Sequence, residues 1–225
     1  MILSLSPGPS ALENAAEMRE YAQMWRISQD IWDMWHSPTD FPQGVKDEFA
    51  MAAKWAAQPK DGHWPDADML PLGRLGPTPG RGSPRDTGLT HDEQRTAMTL
   101  WCMFRSPLMM AGNLTSLDPW TTSLLTNTEA LAIDQHSMDN HPVVTTEDTV
   151  VWLARPSARG GYYLAVFNIG DTSAVIKYSW KELGLKDKKY ALTDLWEHKE
   201  LGAAELLAVT LRPHASELFR LEPAK

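Results

Sequence analysis

Met24-Trp25-Arg26-Ile27-Ser28-Gln29-Asp30-Ile31-Trp32-Asp33-Met34-Trp35 sets an arginine and a carboxylate four residues apart among three tryptophans. Asp and Arg are poor core material unless they are paired. A strand ending near Ile27, with Arg26 and Asp30 on its loop, aims both groups into one pocket beside flat aromatic surface. On spacing alone two readings stand side by side: a concave site that stacks a ligand face and handles protons, and a Trp-rich turn pinned by an Arg–Asp ion pair.

Outward from that stretch the recipe repeats. Asp61-Gly62-His63-Trp64-Pro65-Asp66-Ala67-Asp68-Met69-Leu70 gives a tryptophan, two carboxylates at i and i+2, and an apolar end. Further on come Thr90-His91-Asp92-Glu93-Gln94 and Arg105-Ser106-Pro107-Leu108-Met109-Met110. In this order the segments resemble glycoside hydrolase family 27, the α-galactosidase (melibiase) and α-N-acetylgalactosaminidase family. The resemblance runs from Leu3 to the C-terminus. The Trp25–Trp35 and His63–Leu70 segments carry most of it, and the Pro/Gly-rich stretch from Pro71 to Gly88 carries none.

The resemblance implies a fold of class α/β plus all-β: the C-terminal half of a (β/α)8 barrel followed by an antiparallel β-sandwich, with the division at 1–139 and 140–225. Met1–Ser6 then matches the fifth barrel strand, Trp25–Trp35 the sixth and its loop, Gly62–Leu70 the seventh and its loop, and Leu108–Ala111 the eighth. Local signals agree. Ser10 with Glu13, and Thr90 with Glu93, read as capping boxes for helices over Ala11–Tyr21 and up to about Phe104. Gly44–Ala57 is helical by its spacing of Val45, Phe49, Ala52, Ala53 and Ala56. Pro71–Gly88, with Arg74, Arg81 and Arg85, reads as an irregular loop. Two short helices are expected near Pro119–Leu124 and Thr128–Asp134. Beyond Asn140 the runs Val143–Val144, Thr149–Ala154, Tyr162–Asn168, Ala174–Trp180, Tyr190–Trp196, Leu206–Leu211 and Ser216–Leu221 alternate between turn residues, the pattern of a sandwich.

Composition narrows the function. A chain of 225 residues with 43% apolar content buries a full core. Its net charge of −8 argues against a nucleic-acid surface. No apolar run approaches the ~18 residues of a membrane span. The single cysteine, Cys102, lies in an apolar helical pattern and reads as a buried, inert thiol. His63, Asp66, Asp68 and His91 lack zinc-site spacing, and the resemblance implies a chemistry that needs no metal, so no metal and no cofactor is expected. His136, His141, His198 and His214 read as solvated. The N-terminus has neither the basic region nor the cleavage site of a secretory signal, and such a signal would precede Met1. Periplasmic, secreted and cytoplasmic locations stay open.

For the site, the resemblance implies Asp30 as the general acid/base, Arg26 as a sugar-contacting arginine, and Asp68, with Met69 beside it, as a carboxylate that binds sugar hydroxyls. Trp25, Trp32 and Trp64 are placed to exclude water around Asp30, and Trp64 joins the substrate-binding set. Ser6 stands where animal and plant galactosidases of the family carry Glu-Trp, which makes room at the sugar 2-position for an acetamido group. The alternative is a serine that merely caps a tight turn. The family nucleophile, an aspartate closing the fourth strand, matches no residue of this chain.

The expected function is therefore retaining hydrolysis of terminal α-D-galactosides, with the 225 residues inactive in isolation. The expected partners are an α-galactoside and either the other barrel half or another copy of the chain. The rivals are a non-catalytic carbohydrate-binding fragment and, through Ser6, an α-N-acetylgalactosaminidase.

Overall fold

The computed structural model describes residues 1–6, 8–76, 83–158 and 160–224. The central Pro77–Gly82 part of the loop, with Arg81, lies outside them, as does Pro7 of the Pro-Gly-Pro turn.

Three short strands open the chain, β1 (Ser4–Leu5), β2 (Met24–Arg26) and β3 (Trp64–Asp66), paired in parallel in that order. Ser4 stands opposite Met24, and Arg26 opposite Asp66. The fourth position is occupied by a single parallel bridge from Leu70 to Met110, flanked by Leu70 N–H to Met109 O and Ala111 N–H to Leu70 O. The full strand expected over Leu108–Ala111 is thus reduced to one bridge, because Pro107 supplies no amide donor and Gly112 turns the chain away. A Cβ at Gly112 would stand 2.4 Å from the Leu72 carbonyl.

Parallel strands need helical crossovers. These are α1 (Ala15–Tyr21) and α2 (Glu48–Trp55), each entered through a 3-10 turn (Leu12–Asn14 and Val45–Asp47), and α3 (His91–Phe104). The capping box at Thr90 is formed: its hydroxyl accepts from Glu93 N–H, and the Glu93 carboxylate accepts from Thr90 N–H at 2.7 Å. Thr90→Ala should cost about 1 kcal/mol in urea unfolding. A loss below a few tenths would mean that packing alone starts this helix. The box at Ser10 does not form. Ala11 occupies the cap, and the Ser10 hydroxyl has no partner among the described residues. Pro71–Gly88 is not wholly irregular either, since β4 (Arg74–Leu75) and β5 (Arg85–Asp86) make a small antiparallel ladder at its base.

Helices α4 (Pro119–Leu125) and α5 (Thr128–His136) lead directly into β6 (Ser137–Thr145). Strands β7 (Thr149–Pro156), β8 (Tyr162–Asn168), β9 (Ala174–Ser179), β10 (Tyr190–Asp194), β11 (Lys199–Ala204), β12 (Leu206–Leu211) and β13 (Ser216–Pro223) follow. Six form one antiparallel sheet in the order β11-β10-β13-β8-β7-β6, and β12 pairs with β9 in a second.

The central strands β7 and β8 of the six-stranded sheet, with much of β13, are buried on both faces. Val151, Leu153, Leu164, Val166 and Phe219 face Ile176, Leu207 and Leu211 of the second sheet. The alternate residues Val150, Trp152, Ala165, Phe167 and Leu218 belong instead to the core built by β2, α2 and α3. This follows from the two-residue side-chain period of a strand. The sandwich therefore owns one core and shares the other with the barrel half. Polar groups fasten the shared face: Trp196 Nε1 donates to Thr99 Oγ1, Asn140 Nδ2 to Met103 O, and Asn127 Nδ2 to Leu195 O.

His214 belongs to this seam and is not solvated. Its ring stacks on Trp35 at 4.2 Å, with Nδ1 2.7 Å from Glu93 and Nε2 2.9 Å from Asp171. His136, His141 and His198 are exposed, as expected. Cys102 is fully buried. Among the described residues no helix is long and apolar enough to cross a membrane.

Candidate functional site

Alternation along β2 decides which side chains reach the C-terminal end of the parallel strands. Trp25 and Ile27 are fully buried, Trp25 against Trp55 of α2 with ring centroids 6.2 Å apart. Arg26 faces the other way. Its Nη1 lies 2.9 Å from Asp68 Oδ1 and its Nη2 3.3 Å from Asp30 Oδ1, with a further bond to Ser28 O. The arginine is nearly buried, at 8% side-chain exposure, while Asp30 keeps 56%. The tryptophans therefore do not sheath Asp30. Trp25 is turned into the core, and Trp32 is itself 46% exposed.

Asp68 is held from every side. Its Oδ2 accepts Ile31 N–H at 2.7 Å, its amide donates to Asp66 Oδ1 at 2.9 Å, and its carbonyl accepts from Trp101 Nε1 at 2.9 Å. Its φ of 73° is in the left-handed region, a backbone state that persists in non-glycine residues where surroundings over-determine it. Burial raises the Asp68 pKa, against the pull of the Ile31 amide and Arg26. Asp66, at the end of β3, is pushed up to about 6 by burial, opposed by the Asp68 amide and Arg26.

The remaining acids at this end are also committed. Asp33 accepts from Gly88 N–H and from both terminal nitrogens of Arg85. Burial pushes its carboxyl up, but these donors outweigh it and hold it below the ordinary range. Asp33 is thus the latch between the Trp-rich turn and the base of the 71–88 loop. Glu48, the first residue of α2, is fully buried. Asp30 alone of Asp30, Asp33, Glu48, Asp66 and Asp68 is both exposed and free of amide donors among the described residues.

Met69 is half-buried next to Asp68. Ser6 is exposed and follows Leu5, the partner of Trp25 in the ladder, so it stands level with Arg26 one strand away. Trp64 is not brought to this end. It begins β3 opposite Met24, and the Arg105 guanidinium covers its ring at 4.5 Å. Among the described residues no group of three His, Cys, Asp or Glu could hold a metal ion.

Asp66, Glu48 and Arg85 are the participants that sequence reasoning passed over. Asp66 stood in a quoted motif without a role. Glu48 carried a usable signal, since it falls three residues after Val45 and four before Ala52, on the apolar face of its helix.

Family models match both parts of the chain. Residues 6–136 fit the family described as alpha galactosidase A, and residues 146–221 fit the alpha galactosidase C-terminal beta sandwich domain. The chain belongs to the alpha galactosidase A family.

Its fold is the C-terminal half of the family's (β/α)8 barrel followed by the antiparallel sandwich. Relatives include alpha-galactosidase 2 of Arabidopsis thaliana, 29% identical over 89% of this chain and 47% of the plant protein. Among solved structures, a β-L-arabinopyranosidase of Geobacillus stearothermophilus in complex with arabinose is 44% identical, with a TM-score of 0.90. It is covered to 51% by the whole of this chain. A protein described as a putative alpha-N-acetylgalactosaminidase of Bacillus halodurans is 35% identical, with a TM-score of 0.79, over 100% of this chain and 50% of its own. The chain spans about half the length of the relatives it matches.

Proposed function

We propose that these residues form one side of the active site of a retaining glycosidase acting on terminal α-D-galactosides, with Asp30 as its general acid/base. The observation that carries this is the state of Asp30 beside Arg26: among Asp30, Asp33, Glu48, Asp66 and Asp68 of the described residues, it is the one that is exposed and accepts from no amide. Active sites of such barrels are built at those ends. Arg26 and Asp68 form a fixed, charged cradle for sugar hydroxyls, and Met69 adds an apolar edge. A retaining mechanism needs a second carboxylate about 5–5.5 Å away as nucleophile. Asp68 does not serve, because Arg26 and the Ile31 amide occupy its two oxygens. The nucleophile belongs to the part of the relatives that this chain does not match.

A second reading is favoured by the 44% identity to a β-L-arabinopyranosidase. That sugar has the ring of α-D-galactose without its hydroxymethyl group, so the same cradle would accept both. At the 2-position, exposed Ser6 leaves space for an acetamido group. Aryl α-galactoside, β-L-arabinopyranoside and α-N-acetylgalactosaminide, offered to a protein with all eight barrel units, separate the three. Turnover of none by a folded protein would leave the carbohydrate-binding reading.

The 225 residues by themselves should be hydrolytically silent and should self-associate. Strand β1 is paired on one side only among the described residues, and Met1, Ile2, Leu3 and Tyr21 beside it are exposed. Met109 and Leu114 are exposed at the opposite edge. Open edges with apolar side chains recruit other strands, either the complementary barrel half or a second copy. Size-exclusion chromatography and an aryl galactoside assay on the chain check both. A monodisperse monomer whose turnover is abolished by Asp30→Asn would overturn the expectation.

A further inference from the structure

Of the ten tryptophans, Trp32 alone is exposed. The three that are half-buried are each capped: Trp35 by the His214 ring at 4.2 Å, Trp64 by the Arg105 guanidinium at 4.5 Å, and Trp120 by the His91 ring at 4.5 Å and Arg95 at 4.9 Å. The Trp32 indole has no aromatic ring and no cation against it among the described residues. The fold covers every other tryptophan and leaves this one bare, two residues from the proposed acid.

The backbone that carries it is fixed. Gln43 N–H donates to Asp30 O and Trp32 N–H to Gln43 O, both at 2.9 Å, closing a parallel bridge on Ile31. Asp30, Ile31 and Trp32 therefore run extended, and side chains of an extended run alternate between its two sides. Burial follows that rule: Ile31 is fully buried, and Asp30 and Trp32 are exposed. The acid and the indole thus project on the same side, about 7 Å apart along the chain.

A general acid must face the oxygen that joins the two halves of its substrate. Arg26 and Asp68 take the hydroxyls of the glycosyl half. The departing half hangs from the oxygen at Asp30, beside exposed surface that this cradle does not use. A rigid, flat, apolar indole face complements a ring with a flat apolar face of its own, such as the C–H face of a pyranose, and offers little to a short alkyl group.

We propose that Trp32 is a specificity-determining residue for the leaving group: its bare indole face stacks on a second pyranose ring, whose glycosidic oxygen Asp30 protonates. The proposal rests on the glycosidase reading and deepens it.

The test uses the protein with all eight barrel units and compares a disaccharide with a methyl glycoside of the same glycone, the one it turns over best. Both leaving groups are poor and need the proton from Asp30, so the second ring is what separates them. By kcat/KM the parent should favour the disaccharide, and Trp32→Ala should cut that preference about tenfold or more, the scale of a tryptophan hot spot. Trp32→Phe, smaller but flat, should keep part of it, and it carries the test if Trp32→Ala does not fold. No preference in the parent, or one that the variants leave unchanged, would overturn the proposal and leave the glycosidase reading standing. A ring covered by the rest of the barrel would give that outcome. Turnover of no glycoside by the folded parent would overturn that reading and this proposal with it.

Discussion

Asp30→Asn should slow hydrolysis of substrates with poor leaving groups by about 10²–10⁴-fold, the range that a positioned general acid contributes. The measurement requires a protein in which the preceding four βα units are supplied, fused or in trans. Activated aryl glycosides need little proton assistance to depart, so their cleavage should fall far less. This contrast distinguishes an acid from a structural partner of Arg26. Asp30 holds Arg26 through one contact at 3.3 Å and is otherwise in solvent. With its Asp30 side open to solvent, this pair contributes little more than a surface pair, about 0–1 kcal/mol, so the variant should remain folded. Equal losses on both substrate types would remove Asp30 from the acid role and leave it an anchor for the arginine.

The parts of the fold legible in the sequence are those where a single periodicity or motif dominates. Strand β8 matches its expected bounds, Tyr162–Asn168, and β12 its own, Leu206–Leu211, because an unbroken or alternating apolar run between turn residues admits little else. Strand β11 escaped because Lys199-Glu200-Leu201-Gly202-Ala203-Ala204 is almost wholly exposed at the sheet edge, where packing imposes no pattern. The β4–β5 ladder escaped because two residues per strand leave no period to read.

The site divides in the same way. Arg26, Asp30 and Asp68 come together because two neighbouring parallel strands carry them, and Ser6 stands level on the third. Trp64 was misplaced by reading proximity in sequence as proximity in space. Four residues of extended chain carry Asp68 to the far end of the strand, and α3 brings Arg105 to cover the tryptophan. His214 lies 121 residues from its partner Glu93, a contact that no local pattern encodes.

Arg26→Ala should have the largest effect on stability, and the effect should depend on pH. The arginine is the counter-charge for Asp68, which is mostly buried, and bears on buried Asp66. Removing one partner of a buried pair leaves an uncompensated charge, at a cost of about 3–5 kcal/mol. Asp68 keeps some solvent contact, so the lower end of that range applies. The sign follows from the raised folded-state values of both acids. An acid raised in the folded state contributes stability that is complete below its unfolded value and is lost as pH rises through its folded value, about 6 for Asp66. Without Arg26 both values climb further, so the variant loses more than the parent as pH rises. Urea unfolding should therefore show a large deficit at pH 8, above the folded value of Asp66, and a clearly smaller one at pH 5, where Asp66 is mostly protonated. What persists at low pH is the packing lost with the side chain. A deficit of equal size at both values would mean that Arg26 acts through packing alone, and the charged cradle beneath Asp30 would lose its electrostatic basis.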